Sequence, residues 1–297
     1  MTDDKPPIID YEGSDYQTSF WEESNRQYED RAEAVALQRL LPASGRLMLE
    51  LGAGAGRNTP RYRGYERIVL LDYSFTQLVQ AQERLGRSGR YLYVAGDVYH
   101  LPFQNAVFDA ATMIRVIHHL ADPARALDEI QRVLESRGTF ILEFANKQNL
   151  KAILRYWMGR QDWSPFTLKP VEFVELNYDF HPRYIREQLQ QAGFEIERQL
   201  TVSHFRLNLL KENLPTPLLV SLDSLAQLTG NLWQLSPSVF VRGRAAEKPH
   251  PEQERGLFHC PDCRESALVE NGETISCPAC GSGWPIRDGI YDFREQD

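Results

Sequence analysis

The sequence predicts an α/β fold organised around a nucleoside-binding crevice, followed by a small metal-binding module. Three observations carry that prediction. Leu47-Met48-Leu49-Glu50-Leu51 is a short apolar run that enters a glycine-rich turn, Gly52-Ala53-Gly54-Ala55-Gly56. The next apolar run, Ile68-Val69-Leu70-Leu71, ends on an acid, Asp72. Strand, glycine turn, helix, strand and acid is the order found along a nucleoside-binding crevice in an open parallel sheet. The third observation is that all four cysteines fall after residue 259, as two C-x-x-C knuckles.

Composition is consistent with one or two globular domains: 297 residues, 42% hydrophobic and 25% charged. No apolar run approaches the length of a membrane span, and Met1-Thr2-Asp3-Asp4-Lys5 is too acidic and polar for a signal peptide. A cytoplasmic location is therefore expected. The net charge of -8 argues against a nucleic-acid surface, which needs a basic patch.

The elements follow in order. The glycine spacing, Gly52-x-Gly54-x-Gly56, differs from the G-x-G-x-x-G that admits a pyrophosphate, and Glu50 stands two residues before it. A carboxylate there repels a pyrophosphate and favours an ammonium or sulfonium. Tyr91-Leu92-Tyr93-Val94 reads as a third strand leading to Gly96-Asp97-Val98. Phe108 to Ile114 reads as a fourth, ending in Arg115-Val116-Ile117-His118-His119-Leu120. Asp122-Pro123 opens a helix through Leu134, proline being suited to the first turn. Gly138 to Phe144 is a fifth strand, Arg183 to Ala192 a helix stopped by Gly193, Glu195 to Leu200 a further strand, and Ser238 to Arg244 the last.

With these motifs in order, the segment from Leu47 to Phe144 resembles the class I S-adenosylmethionine-dependent methyltransferases. The resemblance implies a Rossmann-like, seven-stranded sheet with S-adenosylmethionine as cofactor. It further implies a binding set of Glu50, Gly52, Gly54, Gly56, Asp72, Tyr73, Asp97, Val98 and Arg115. In that family the acid at Asp72 accepts from the ribose hydroxyls, the acid at Asp97 faces the adenine amino group, and the segment at Arg115 passes the methionine moiety. His118 and His119 fall near the expected methyl position and are the candidate catalytic residues. No N-P-P-Y-like motif follows the fourth strand, which argues against amino-group DNA and protein-glutamine methyltransferases.

Cys260-Pro261-Asp262-Cys263 and Cys277-Pro278-Ala279-Cys280 are separated by thirteen residues. Two knuckles so spaced can place four thiolates around one closed, structural Zn²⁺. Cys260, Cys263, Cys277 and Cys280 are the expected ligands of a zinc ribbon. The run after the second knuckle resembles the end of the small zinc-binding activator subunits that pair with tRNA, rRNA and protein methyltransferases, here fused in cis. From Glu247 to Asp297 there are 11 acids and 5 bases, a net of -6. That balance suits packing or protein contact better than an RNA grip.

The expected domains are residues 1–246, the methyltransferase domain, and 247–297, a proline-containing linker and the zinc ribbon. Two insertions, about 146–181 and 207–237, are expected to cap the cofactor side. Tyr16 to Trp21 and Arg26 to Arg31 are expected to cover the sheet or lid the cofactor. The first insertion is rich in aromatics. In the second, Leu218, Leu219, Leu222, Leu225 and Leu228 have helical spacing, which predicts packing into the core in preference to a lipid pocket. The acceptor expected from these features is a small, aromatic or lipid-like metabolite. The alternatives are an rRNA or tRNA methyltransferase, or a non-catalytic cofactor-binding adaptor that docks a partner through the ribbon.

Overall fold

The computed structural model describes residues 6–8, 12–13, 26–248 and 256–294. The segment Tyr16 to Trp21, expected to cover the sheet or lid the cofactor, lies outside the described residues. Parallel strands β1 (Gly45–Leu51), β2 (Tyr65–Asp72), β3 (Tyr91–Ala95), β4 (Phe108–Met113) and β5 (Leu134–Ala145) form the middle of the sheet. Their order is β3-β2-β1-β4-β5, so the chain reverses its direction of travel beside β1, at the mouth between β1 and β4. In open α/β sheets that switch point is where ligands bind, beyond the carboxyl ends of the strands. The sheet continues through β9 (Ser238–Ala245) and β8 (Phe194–Val202), both joined antiparallel, which completes the expected seven strands.

The central strands are buried on both faces. Met48, Leu49, Ile68, Leu70, Ala110 and Ile141 are fully enclosed, as parallel strands require. Three helices follow their strands with capped starts. In α2 (Phe75–Leu85) the N-cap Ser74 accepts from the Gln77 amide, and Gly86 ends the helix at φ +82°. In α3 (Pro123–Val133) Asp122 accepts from the Arg125 amide and Pro123 occupies the first turn. In α5 (Pro182–Gln191) His181 takes the capping role. Helix α1 (Gln27–Leu40) precedes the sheet and packs against α7 (Thr216–Ala226) and β8.

Two expectations are corrected. The helix expected between the glycine turn and β2 is reduced to one 3-10 turn, Thr59–Arg61. The glycine turn consumes 52–56, and the eight residues left before Tyr65 include Pro60 and Gly64, too few for a helix and a return loop. The leucine stripe is also not core: of its five members only Leu219 is buried, while Leu218, Leu222, Leu225 and Leu228 are exposed.

The first insertion forms α4 (Leu150–Trp157) and a hairpin, β6 (Val171–Val174) with β7 (Asn177–Asp179). Buried Lys147 anchors the intervening loop, its ammonium donating to the Thr167 hydroxyl at 3.0 Å and the Lys169 carbonyl at 2.6 Å. The second insertion contains α6 (Asn208–Asn213) and α7.

The C-terminal module joins the main sheet. Its strands β10 (Val269–Glu270), β11 (Thr274–Ser276), β12 (Gly283–Arg287) and β13 (Ile290–Asp292) run antiparallel to one another, and β13 pairs in parallel with β3. The result is one eleven-stranded sheet. Ile290 is fully buried in this seam, and the Phe293 amide continues it by donating to the Ala95 carbonyl at 2.8 Å.

Candidate active site

The glycine turn is shaped by its neighbours. Gly52, Gly54 and Gly56 all have positive φ. A Cβ on Gly52 would stand 2.1 Å from Val116 Cγ2, so only glycine lets the turn approach the segment after β4. Asp72 stands opposite, at the end of β2. Its Oδ2 accepts from the Gly54 amide at 2.7 Å and its Oδ1 from the Ser74 amide at 2.9 Å, which ties the turn to the start of α2.

Two adjoining cavities open over these strand ends. The larger, of about 790 Å³ with its open mouth, is lined by Asp72, Tyr73, Gly96, Val98 and His119 among others. The second is lined by Glu50, Arg57, Asn58, Thr112 and Ile114, and shares Gly52, Gly54, Gln77 and Arg115 with the first. The shared wall makes one elongated cleft. The N-terminal segment reaches it through Ile8, and the Glu12 carboxylate accepts from the Phe75 amide at the start of α2.

Most residues expected to bind cofactor meet here, with two departures. Asp97 is engaged in its own loop: Oδ1 accepts from the Tyr99 amide at 2.7 Å and Oδ2 lies 3.1 Å from His100 Nδ1, while its neighbours Gly96 and Val98 line the cleft. Gly56 faces away, where a Cβ would stand 2.8 Å from Leu85. Its part is helix packing. Gln77, Arg57 and Asn58 line the cleft without having been singled out in the sequence, because no local motif marks them.

Glu50 is buried and accepts from the Thr59 hydroxyl at 2.6 Å. Burial pushes its carboxyl up to about 7, against the opposing pull of the Thr59 and Tyr62 hydroxyls and of Arg57 and Arg61. Glu33 on α1 behaves differently. Burial raises its pKa, but Arg115 and Arg57, both paired to it, outweigh burial and hold it at about 2. Arg115 itself sits at φ +62°, its amide donating to Glu143 Oε2 at 3.0 Å and its guanidinium to Glu33. A non-glycine residue in that region is strained, and here two carboxylates from different elements hold it in place.

The two histidines have separate environments. His119 Nδ1 lies 3.1 Å from the Leu176 carbonyl, at the tip of the β6–β7 hairpin. A carbonyl only accepts, so Nδ1 carries the proton and Nε2 keeps its lone pair. Burial holds His119 below the ordinary histidine range, so it is neutral at pH 7. His118 lies deeper, its ring 4.0 Å from that of His119, and its Nδ1 has no hydrogen-bond partner among the described residues. Burial, then the neighbouring His119 and Arg115, keep it well below the usual range.

Above the strand ends, a charged cluster escaped the sequence reading. Glu143 on β5 accepts from Ser238 Oγ at 2.5 Å, and Arg206 lies within electrostatic reach of Glu33, Glu143 and Asp179. Arg206 Nε is buried without a hydrogen-bond partner among the described residues. Asp179 on β7 is pushed up to about 6 by burial, Arg206 and Lys147 opposing and Glu143 reinforcing the rise. These residues come from α1, β5, β7 and the loop after β8, so no sequence window contains them together.

The four cysteine sulfurs lie within 4.8 Å of one another, with Cys260–Cys280 at 3.6 Å and Cys263–Cys277 at 3.5 Å. Zn–S bonds of about 2.3 Å in tetrahedral array imply sulfurs about 3.8 Å apart. The set therefore fits a four-thiolate metal site. Beyond it, Arg294 donates to the Tyr73 carbonyl at 3.3 Å and lies 6.0 Å over the Tyr73 ring, so the tail touches the rim of the cleft.

Residues 49–142 match the family model described as a methyltransferase domain. The chain is 37% identical over 107 residues to a demethylmenaquinone methyltransferase of Thermobifida fusca, covering 35% of this chain and 45% of that protein. It is 30% identical over 185 residues to a probable S-adenosylmethionine-dependent methyltransferase of Mycolicibacterium smegmatis, covering 61% of this chain and 65% of that protein. The chain thus spans less than two thirds of either relative's length. Among solved structures, it resembles a chain of the complex between the Haloferax volcanii Trm112 methyltransferase activator and a putative methyltransferase. The TM-score there is 0.53 at 19% identity, over 79% of this chain and 98% of that one. The likeness is one of fold.

Proposed function

We propose that this chain, whose residues 49–142 match a methyltransferase-domain model, is a class I methyltransferase that transfers a methyl group from S-adenosylmethionine to a small aromatic or lipid-like acceptor. The observation that carries the reading is the convergence of Asp72, the Gly52–Gly54 turn and His119 on one cleft, with the β6–β7 hairpin bonded to His119 above it. Supporting it are the acidic charge and the names of two relatives, a demethylmenaquinone methyltransferase and an O-methyltransferase of Penicillium expansum.

S-adenosylmethionine, when bound, supplies an electrophilic methyl group on a sulfonium. The chain's own residues do the rest. Asp72 offers a carboxylate to the ribose hydroxyls, and Glu50 offers one to the cationic amino-acid end. The hairpin and the aromatic insertion exclude water and orient the acceptor for in-line attack. His119 Nε2 takes the proton that an acceptor O–H or acidic C–H must lose.

Two outcomes are expected. His119→Ala lowers kcat by about 100- to 10,000-fold with little change in cofactor affinity, the usual span for a lost general base. Single-turnover kinetics beside calorimetry separates the two quantities. The ionised fraction of Glu50 rises through pH 7, so affinity for S-adenosylhomocysteine, whose amino group is cationic there, climbs from about pH 6 to 8 and then levels off. Glu50→Gln flattens that rise; calorimetry across the range reads it.

For the acceptor, the protein is incubated with methyl-labelled cofactor and separated extract fractions. Label in a small-molecule or lipid fraction supports the reading, and label confined to RNA or protein overturns it. We further assign Cys260, Cys263, Cys277 and Cys280 to one structural Zn²⁺, since four thiolates leave no open position for chemistry.

A further inference from the structure

Eighteen large apolar side chains are exposed among the described residues, and seventeen of them lie between Leu150 and Leu235. All seventeen fall in the two insertions, and apolar side chains gathered where two insertions join are of the kind that mark an interaction surface. On α4, Leu150, Leu154 and Trp157 face outward at spacings of four and three residues, while Ala152 and Ile153 turn inward. On α7, Leu218, Leu222 and Leu225 repeat the pattern, with Leu219 and Asp223 inward. The stripe runs on through Leu232, 76% exposed, towards Leu235. There the two insertions join: the Leu150 amide donates to the Leu235 carbonyl at 2.9 Å, and the Asn146 amide group to those of Gln234 and Ser236.

Charge selects the occupant. From Asn149 to Gln161 there are three cations, Lys151, Arg155 and Arg160, all exposed, and no acid. From Leu214 to Val241 the one acid is Asp223, which is buried and accepts from Tyr28 and His204. The face is therefore apolar with a basic edge, on a chain of net charge -8. A two-fold contact with a second copy would press this face against the same face, and neither of these two stretches carries an exposed acid to pair with the cations. An anionic bilayer instead accepts leucine and tryptophan below its headgroups and lysine and arginine among them.

We propose that the face formed by α4, α7 and residues 227–235 docks on the surface of an anionic lipid bilayer. The contact is interfacial, since no helix of the described residues is long and apolar enough to cross a membrane.

Flotation of the full chain with vesicles tests this without an acceptor or methyl transfer, so its result is independent of the activity reading. Vesicles of phosphatidylcholine with about 30% phosphatidylglycerol are expected to carry the protein up the gradient, and pure phosphatidylcholine at least about tenfold less. Trp157→Ser with Leu232→Ser lowers partitioning by about tenfold or more. Lys151→Glu with Arg155→Glu removes the preference for the anionic vesicles. The substituted side chains are exposed, and an unchanged melting temperature confirms folding; the contrast between lipids stands on the unmodified chain alone. Absence from both vesicle fractions overturns the proposal. So does a dimer that the Trp157 and Leu232 variant dissociates while vesicles remain unbound.

Discussion

Asp72→Ala is expected to raise the dissociation constant for S-adenosylmethionine by about 10- to 100-fold, the span of a lost hydrogen bond to a charged group. An ionised carboxylate has about four acceptor positions. Two are occupied by the Gly54 and Ser74 amides, which fix the group at the end of β2, where it lines the cleft. The substitution therefore removes a ligand contact and also frees the glycine turn. Asp72→Asn separates these effects: its carbonyl oxygen can still accept from the Gly54 amide, so the turn is kept while the charge is lost. An intermediate affinity for this variant, measured by calorimetry, is the expected result. Unchanged affinity in Asp72→Ala would remove the residue from the cofactor site.

The second large effect belongs to the metal module. Replacing Cys260 and Cys277 together by serine is expected to take the zinc content from one ion per chain to none and to loosen residues 260–286. Structural zinc contributes roughly 10–16 kcal/mol to small domains. Ile275, Trp284 and Phe293, which join the core of the main sheet, are too few to replace that. The seam to the main sheet has separate anchors in buried Ile290, the Phe293–Ala95 bond and the Gln82 amide on the Asp288 carbonyl at 3.0 Å. Cofactor affinity should therefore fall less than about tenfold, the contact of Arg294 with Tyr73 being the part most at risk. Elemental analysis and hydrogen exchange read the two effects. A wild-type chain without zinc, or protection across 260–286 that survives the substitutions, would overturn the assignment.

What the sequence made legible was local. The β1 strand, its glycine turn and Asp72 lie within 28 residues and are governed by chain geometry, so order and spacing were enough to place them. The same holds for the cysteine knuckles, where spacing alone brings the sulfurs together. Spacing failed where the deciding term was distant. Leu218, Leu222 and Leu225 have the period of a buried stripe, but period cannot tell which side of a helix has a neighbour. Glu33, Glu143, Asp179 and Arg206 are separated by up to 173 positions in the chain, and only the closing of four elements over the strand ends makes them one cluster. The missing helix after the glycine turn was decided by a count of eight residues that the motif itself does not register.

The parallel pairing of β13 with β3 has a consequence for the order of synthesis. Ile290 sits opposite Tyr93, 197 positions later in the chain, so the edge of the sheet at β3 stays open until the C-terminal module has been made. An uncovered strand edge is a template for pairing with other chains, and contacts between distant segments form slowly. The C-terminal module thus acts as a late-arriving edge guard: a nascent or truncated chain ending before residue 256 is expected to carry β3 bare and to aggregate through it. Pairing with β13 closes that edge.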